Sequence, residues 1–229
     1  MSNSHVVIYD KVLQQDMYYK GTVILSYTVR YPYFTSIKYQ RTLDKLNHYY
    51  KVRAYMYVKK DIMNLYQNAI IEYEYAVANN FPVRPFDLVT VYEVTYNQDC
   101  VLSLYFDRYE YTGGAHGMTT RTSDSWNIVN SSPIRINELF LMTEDVDSIV
   151  TDAIVEQIDS EVLAEVEFFP YFEDYRTLVI ENFDPNYFYL NDRGVIVYFQ
   201  LYEIAPYASG IPEFLLPYGS SGPIRPRYC

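Results

Sequence analysis

The densest group of residues able to do chemistry is Tyr109-Glu110-Tyr111-Thr112-Gly113-Gly114-Ala115-His116-Gly117, which follows a strand-like run. Glycines at three of these positions permit positive φ and close backbone approach, so the segment predicts a tight, shaped loop at a strand end. Within it Tyr111, Gly113, Gly114, His116 and Gly117 are the candidate ligand-binding residues. The loop does not fit a phosphate site. It lacks the Gly-Lys-Ser/Thr ending of a P-loop and the spacing of the dinucleotide fingerprint. His116 is one of three histidines, with His5 and His48, and none stands in a metal-ligand spacing. Neither a metal nor a cofactor is expected, and His116 is assigned to fixing its own loop through a backbone hydrogen bond.

Nucleophilic catalysis lacks a candidate. No Gly-x-Ser-x-Gly elbow occurs, and Cys100 lies in an apolar strand pattern that predicts a buried, inert thiol. With 29 Asp and Glu, a carboxylate pair for acid and base work stays open by counting alone. Glu110 and Glu203 each sit in a motif, and both read as structural hydrogen-bonding or exposed groups. A second turn, rich in proline and tyrosine, supplies two more candidate ligand-binding residues, Pro206 and Tyr207. The competing reading is that both turns only shape the core.

These residues must be positioned by regular elements. Val23, Leu25, Tyr27, Val29 and Tyr31 alternate with more polar neighbours, which predicts a strand ended by Pro32. Leu43, Leu46 and Tyr50 recur at helical spacing, and a longer helix is expected over Asp61–Asn79, closed by Pro82 and Pro85. Asp87–Asn97 and Cys100–Tyr111 read as a β-hairpin. Thr143 before Glu144, Asp145 and Asp147 predicts the start of a helix whose buried stripe runs from Val146 to Ile158. Phe188–Leu190 and Val195–Leu201 form a second hairpin around Asn191-Asp192-Arg193-Gly194. Helices interspersed with hairpins indicate an α+β protein.

Composition narrows the function classes. The 229-residue chain is 49% hydrophobic and 21% charged, ordinary for a globular protein and too apolar for a disordered one. A net charge of −11 disfavours a nucleic-acid partner, whose affinity rests on Lys and Arg contacts, and favours a basic protein. The 28 tyrosines suit half-buried strand faces and contact surfaces alike. Two cysteines, Cys100 and Cys229, predict no disulfide framework. The sequence shows no signal peptide and no apolar run long enough for a membrane span, so it reads as cytoplasmic.

Three stretches carry a resemblance. The motif Tyr109-x-Tyr111-Thr112-Gly113-Gly114-Ala115-His116-Gly117, then Asn137-Glu138-Leu139-Phe140, then Tyr202-Glu203-Ile204-Ala205-Pro206-Tyr207-Ala208-Ser209-Gly210-Ile211 resemble the marks of the bacterial RsiV-like family. These are domains of unknown function found in a lysozyme-sensing anti-sigma factor and beside a peptidoglycan deacetylase. The resemblance implies a two-lobed α+β arrangement with antiparallel sheets and packed helices, an N-terminal lobe over 1–107 and a C-terminal lobe over 108–229. It implies a non-enzymatic binding or sensing module, with a basic protein such as lysozyme or a cell-wall component as partner. The His116 loop and the Pro206-Tyr207 turn are expected in the same C-terminal lobe as one feature. The relatives act outside the cytoplasm, whereas this sequence shows neither their anchor nor their signal. Two other readings stand beside it: a cell-wall carbohydrate enzyme or its accessory domain, and an intracellular protein that self-associates through its tyrosines.

Overall fold

Alternating and helical apolar patterns resolve into nine strands and four α-helices in a computed structural model, which describes residues 6–141, 145–163, 170–219 and 222–229. His5, Thr143 and Glu144 lie outside the described residues. The protein is of mixed α+β class. Six strands form one sheet in the order β1-β2-β3-β4-β5-β6, and three form a second in the order β7-β8-β9.

Strand β1 (Val7–Tyr19) pairs antiparallel with β2 (Thr22–Thr35), which carries the predicted alternation but runs on through Pro32. Pro32 is tolerated there because pairing of β2 with β3 spans only Leu25 to Val29, so no inner ladder bond is lost. The pair β2 and β3 (Phe86–Gln98) is parallel, an exception to the expected antiparallel sheets. Its cause is the connection. A helical crossover returns the chain to the starting end, as parallel pairing requires.

That crossover is continuous where two separate helices were expected. Helix α1 (Gln40–Met56) leads into a π-helical segment (Tyr57–Ile62) and then into α2 (Met63–Ala78). Buried Asn47 joins α1 to β2, its amide accepting from the Phe34 N–H at 2.7 Å and donating to the Phe34 carbonyl at 2.9 Å. Ile24, Leu25, Ile62, Ala69, Phe86 and Leu88 build the core at this end.

The hairpin of β3 and β4 (Val101–Tyr111) turns at Asp99 and Cys100, with φ of 53° and 60°. Positive φ at both central residues is the geometry of a two-residue hairpin turn that matches strand twist. Strand β5 (Met118–Asn127) follows β4, and β6 is the two-residue Ser132–Pro133. Helix α3 (Val146–Leu163) buries Val146, Val150, Ile154 and Ile158 of the expected stripe and half-buries Ala153, whereas Ile149, also expected in it, is exposed. Its first turn is capped by Asp145, whose carboxylate accepts the Ser148 N–H at 3.1 Å. Helix α4 (Tyr175–Asn182) and β9 (Glu213–Pro217) gave no clear period in the sequence, while β7 (Phe188–Leu190) and β8 (Gly194–Tyr198) occupy the second predicted hairpin.

The chain packs as two compact units, one of Met1–Glu93 with Phe106–Arg121, the other of Val94–Tyr105 with Thr122–Cys229. This division differs from the expected break at 107. Strands β3, β4 and β5 each contribute residues to both units, so no single position separates them. Cys100 is also corrected: rather than a free thiol it forms a disulfide with Cys229, 129 residues away, with Cα atoms 5.6 Å apart. Neither cysteine is free. Cys229 gave no structural pattern in sequence because it lies in an irregular tail, held here by the Tyr228 N–H donating to the Asp99 carbonyl at 3.0 Å.

Candidate functional site

The glycine loop joins β4 to β5 within the first unit. Gly113 and Gly114 have φ of 98° and 89°, a region closed to most side chains, yet a Cβ at either would meet nothing within 4 Å. Backbone freedom alone requires these two glycines. Gly117 differs: a Cβ there would lie 2.5 Å from the Tyr109 ring and 2.7 Å from the Glu110 carbonyl, so close packing requires it. The Gly114 carbonyl accepts from the Tyr111 hydroxyl at 3.2 Å and from Arg84 Nη1 at 3.3 Å. His116 Nδ1 lies 3.0 Å from the Gly117 carbonyl, to which it donates. A shallow cavity of about 170 Å³ opens beside the loop, lined by Thr112, Gly113 and Gly114 together with Arg84, Glu72 and Tyr73.

Below the loop two charged groups brace the strands. Arg121, 8% exposed, donates two bonds to Asp107, from Nε to Oδ1 and from Nη2 to Oδ2, each 2.6 Å. A planar guanidinium matched to a carboxylate in this way is among the stronger polar contacts a protein makes. Glu110 accepts from the Tyr57 hydroxyl at 2.8 Å and lies 3.3 Å from Arg108 Nε, while the Arg108 guanidinium sits 4.7 Å over the Tyr57 ring. Burial first, and the Glu110 carboxylate second, push the Tyr57 phenol well above its ordinary range. Tyr57 opens the π-helical segment. Sequence reading found neither brace, because each joins residues from separate elements and neither has a period.

The second motif forms a turn in the other unit. A 3₁₀ turn, Tyr207–Ser209, follows Pro206, and the Tyr207 ring packs against Tyr202 with centroids 5.8 Å apart. Tyr202 is 48% exposed and has φ of 70°. Ile204 and Ala205 face the core. Ser209 donates to the Pro170 carbonyl at 2.7 Å, and the Glu203 carboxylate accepts the Gln200 N–H at 2.6 Å, closing its own turn. Burial raises the Glu203 carboxyl above its usual value, with the Gln200 N–H opposing and the nearby Asp184 charge adding to the rise.

The expected single feature is therefore not a single-lobe one. Tyr111, Gly113, Gly114, His116 and Gly117 belong to the first unit, and Pro206 and Tyr207 to the second. The reason is where the strands change units: β4 passes from the second unit to the first after Tyr105 and β5 returns to it at Thr122, so the loop between them belongs to the first.

A cavity that sequence reasoning missed lies in the second unit. Its volume is about 400 Å³, and Asp124, Trp126, Arg135, Asn137, Asp147 and Asn186 supply its polar and aromatic lining. These residues come from β5, the segment after β6, helix α3 and the loop before β7. Their separation in the chain hides the grouping. Among the described residues no group of three or more His, Cys, Asp or Glu side chains is arranged to hold a metal ion, and no helix is long and apolar enough to cross a membrane.

A two-sheet α+β protein whose motifs form braced turns is the class these observations define. Residues 20–119 match the family described as Deacetylase PdaC, and residues 137–219 match the family described as a protein of unknown function, DUF3298. A crystal structure of a DUF3298 family member from Bacteroides fragilis is similar over 95% of this chain and 92% of its own, with a TM-score of 0.73 and 19% identity. A DUF3298 family protein from Pseudomonas aeruginosa covers 93% of this chain and 91% of its own, with a TM-score of 0.54 and 16% identity. At these identities the likeness establishes the shared fold. No curated protein matches the chain.

Proposed function

We propose that the chain is a non-enzymatic binding or sensing module of the RsiV-like type, acting in an oxidising compartment on a basic protein such as lysozyme or on a cell-wall component. The observation that carries this reading is how the motifs use their polar side chains. Glu110 is engaged by Tyr57 and Arg108, Glu203 closes the Gln200 turn, and His116 bonds within its own loop. Such bonds pre-organise a surface, which lowers the ordering cost of binding. Exposed Tyr202, packed against the half-buried Tyr207, is then displayed at this turn in the manner of an interface anchor. The Cys100–Cys229 disulfide supports placement outside the reducing cytoplasm.

Calorimetric titration against lysozyme at low and moderate salt, and against soluble peptidoglycan fragments, tests this. Binding to one of them is expected, with Tyr207→Ala weakening it by more than about 1 kcal/mol. With lysozyme the association rate falls as salt rises, because the chain's −11 charge steers a basic partner. No heat with either ligand overturns the reading. A second reading, the accessory domain of a carbohydrate deacetylase, draws on the match of residues 20–119 to the family described as Deacetylase PdaC. Release of acetate from an N-acetylated glycan by this chain alone would favour an enzyme over both.

A further inference from the structure

The helical crossover carries a surface that the binding reading does not use. Its inner side is Leu43, Leu46, Tyr50, Ala54 and Tyr57, all buried. On the opposite side, at spacings of three and four, stand Tyr49, Val52, Tyr55 and Met56, and Met63 follows the π-helical segment; all five are between 40% and 50% exposed. A helix on a globular protein ordinarily turns polar residues outward at these positions. Here the outward group from Tyr49 to Met56 is apolar and has basic residues on both sides of it.

Arg41 and Lys45 precede the apolar group, Lys59 and Lys60 follow it, and Lys51 flanks it with its ammonium 5.9 Å over the Tyr55 ring. All five are exposed, and among the described residues none forms an ion pair. The nearby carboxylate Asp44 accepts instead from Gln40 at 2.8 Å. The local charge runs against the whole: seven of the chain's 18 Lys and Arg fall between Lys38 and Met63, against two of its 29 Asp and Glu, Asp44 and Asp61.

We propose that this face docks on an anionic phospholipid bilayer, with the helix axis in the membrane plane. Lysines and arginine meet headgroup phosphates, while Tyr49, Val52, Tyr55 and Met56 enter the boundary between headgroups and acyl chains. An acidic protein surface would satisfy the cations and leave the continuous apolar stripe without a match. A nucleic acid would do the same. A bilayer interface satisfies both, and tyrosine is a side chain suited to that depth. The overall charge of −11 repels the rest of the chain from such a surface, while screening over about 8 Å at physiological salt confines attraction to groups at the contact. Docking is therefore specific to this face.

Sedimentation of the full chain with vesicles of phosphatidylcholine alone, and of phosphatidylcholine with phosphatidylglycerol, tests the proposal. Partition into the anionic vesicles only is expected, declining with added salt. Each basic residue at the surface contributes about fivefold, so the triple variant Lys45→Gln/Lys59→Gln/Lys60→Gln loses roughly a hundredfold in partition. Val52→Asp/Met56→Asp also abolishes binding while keeping every basic residue, which separates a bilayer from a purely ionic partner. All substituted side chains are exposed, and far-ultraviolet circular dichroism checks that the fold is kept. Equal partition into both vesicle types, or wild-type partition by either variant, overturns the proposal. So does an absence of vesicle binding together with a concentration-dependent dimer that the triple variant dissolves, since a second copy would then be the occupant.

Discussion

Replacing Arg121 by Met removes the brace under the glycine loop while keeping the volume of its side-chain stem. The arginine side chain is 9% exposed and its partner Asp107 is 23% exposed, so the variant leaves a largely buried carboxylate without its two 2.6 Å bonds. Removing one partner of a fully buried pair costs about 3–5 kcal/mol. Partial access of water to Asp107 lowers this to about 2–4 kcal/mol, since an exposed ion pair is worth under about 1 kcal/mol. Urea unfolding measures the loss as a shift in midpoint at unchanged slope. The double variant Asp107→Asn/Arg121→Met should recover part of it, because an amide tolerates the site better than an ion left alone. A coupling of about 1–3 kcal/mol is expected in the cycle of single and double variants. Stability of Arg121→Met within about 0.5 kcal/mol of the parent, or strictly additive losses, would refute the reasoning.

Cys229→Ser opens a loop of 129 residues, and the chain-entropy account predicts a loss of up to about 5 kcal/mol in unfolding free energy; thiol titration of the native oxidised parent should find no free thiol. Gly114→Val should destabilise the loop through its φ of 89° alone, by about 1–3 kcal/mol in thermal or urea unfolding, with Gly114→Asn tolerated better. Glu203 has a raised carboxyl pKa in the folded state, so its contribution to stability is complete below the ordinary value of 4.5 and is lost as pH rises through the folded value. Glu203→Gln keeps an acceptor for the Gln200 N–H, so the variant should gain stability relative to the parent at neutral pH, and the difference should vanish in acid.

Periodicity made much of the fold legible. The alternation in Val23–Tyr31 and the stripe of Val146, Val150, Ile154 and Ile158 specify a strand and a helix locally, because burying one face leaves a period of two or of about 3.6. The glycine loop was legible for the same kind of reason: adjacent glycines after a strand signal positive φ, which Gly113 and Gly114 adopt. Local patterns also gave α+β class and placed both motifs in turns.

What tertiary structure decided lay beyond any local pattern. Strand β1 has most of its residues exposed on both faces, so it carries little alternation and is defined by pairing with β2. The π-helical segment bridges two helical periods and shifts their phase, which made one crossover read as two helices. The bonds from Arg121 to Asp107 and from Tyr57 to Glu110, like the disulfide from Cys100 to Cys229, join residues 14, 53 and 129 positions apart. Contacts over such separations leave no period in a sequence, since nothing between the partners repeats. The division into two units follows from the same fact: β3, β4 and β5 cross it in mid-strand, where an unbroken alternation gives no sign that the packing environment has changed.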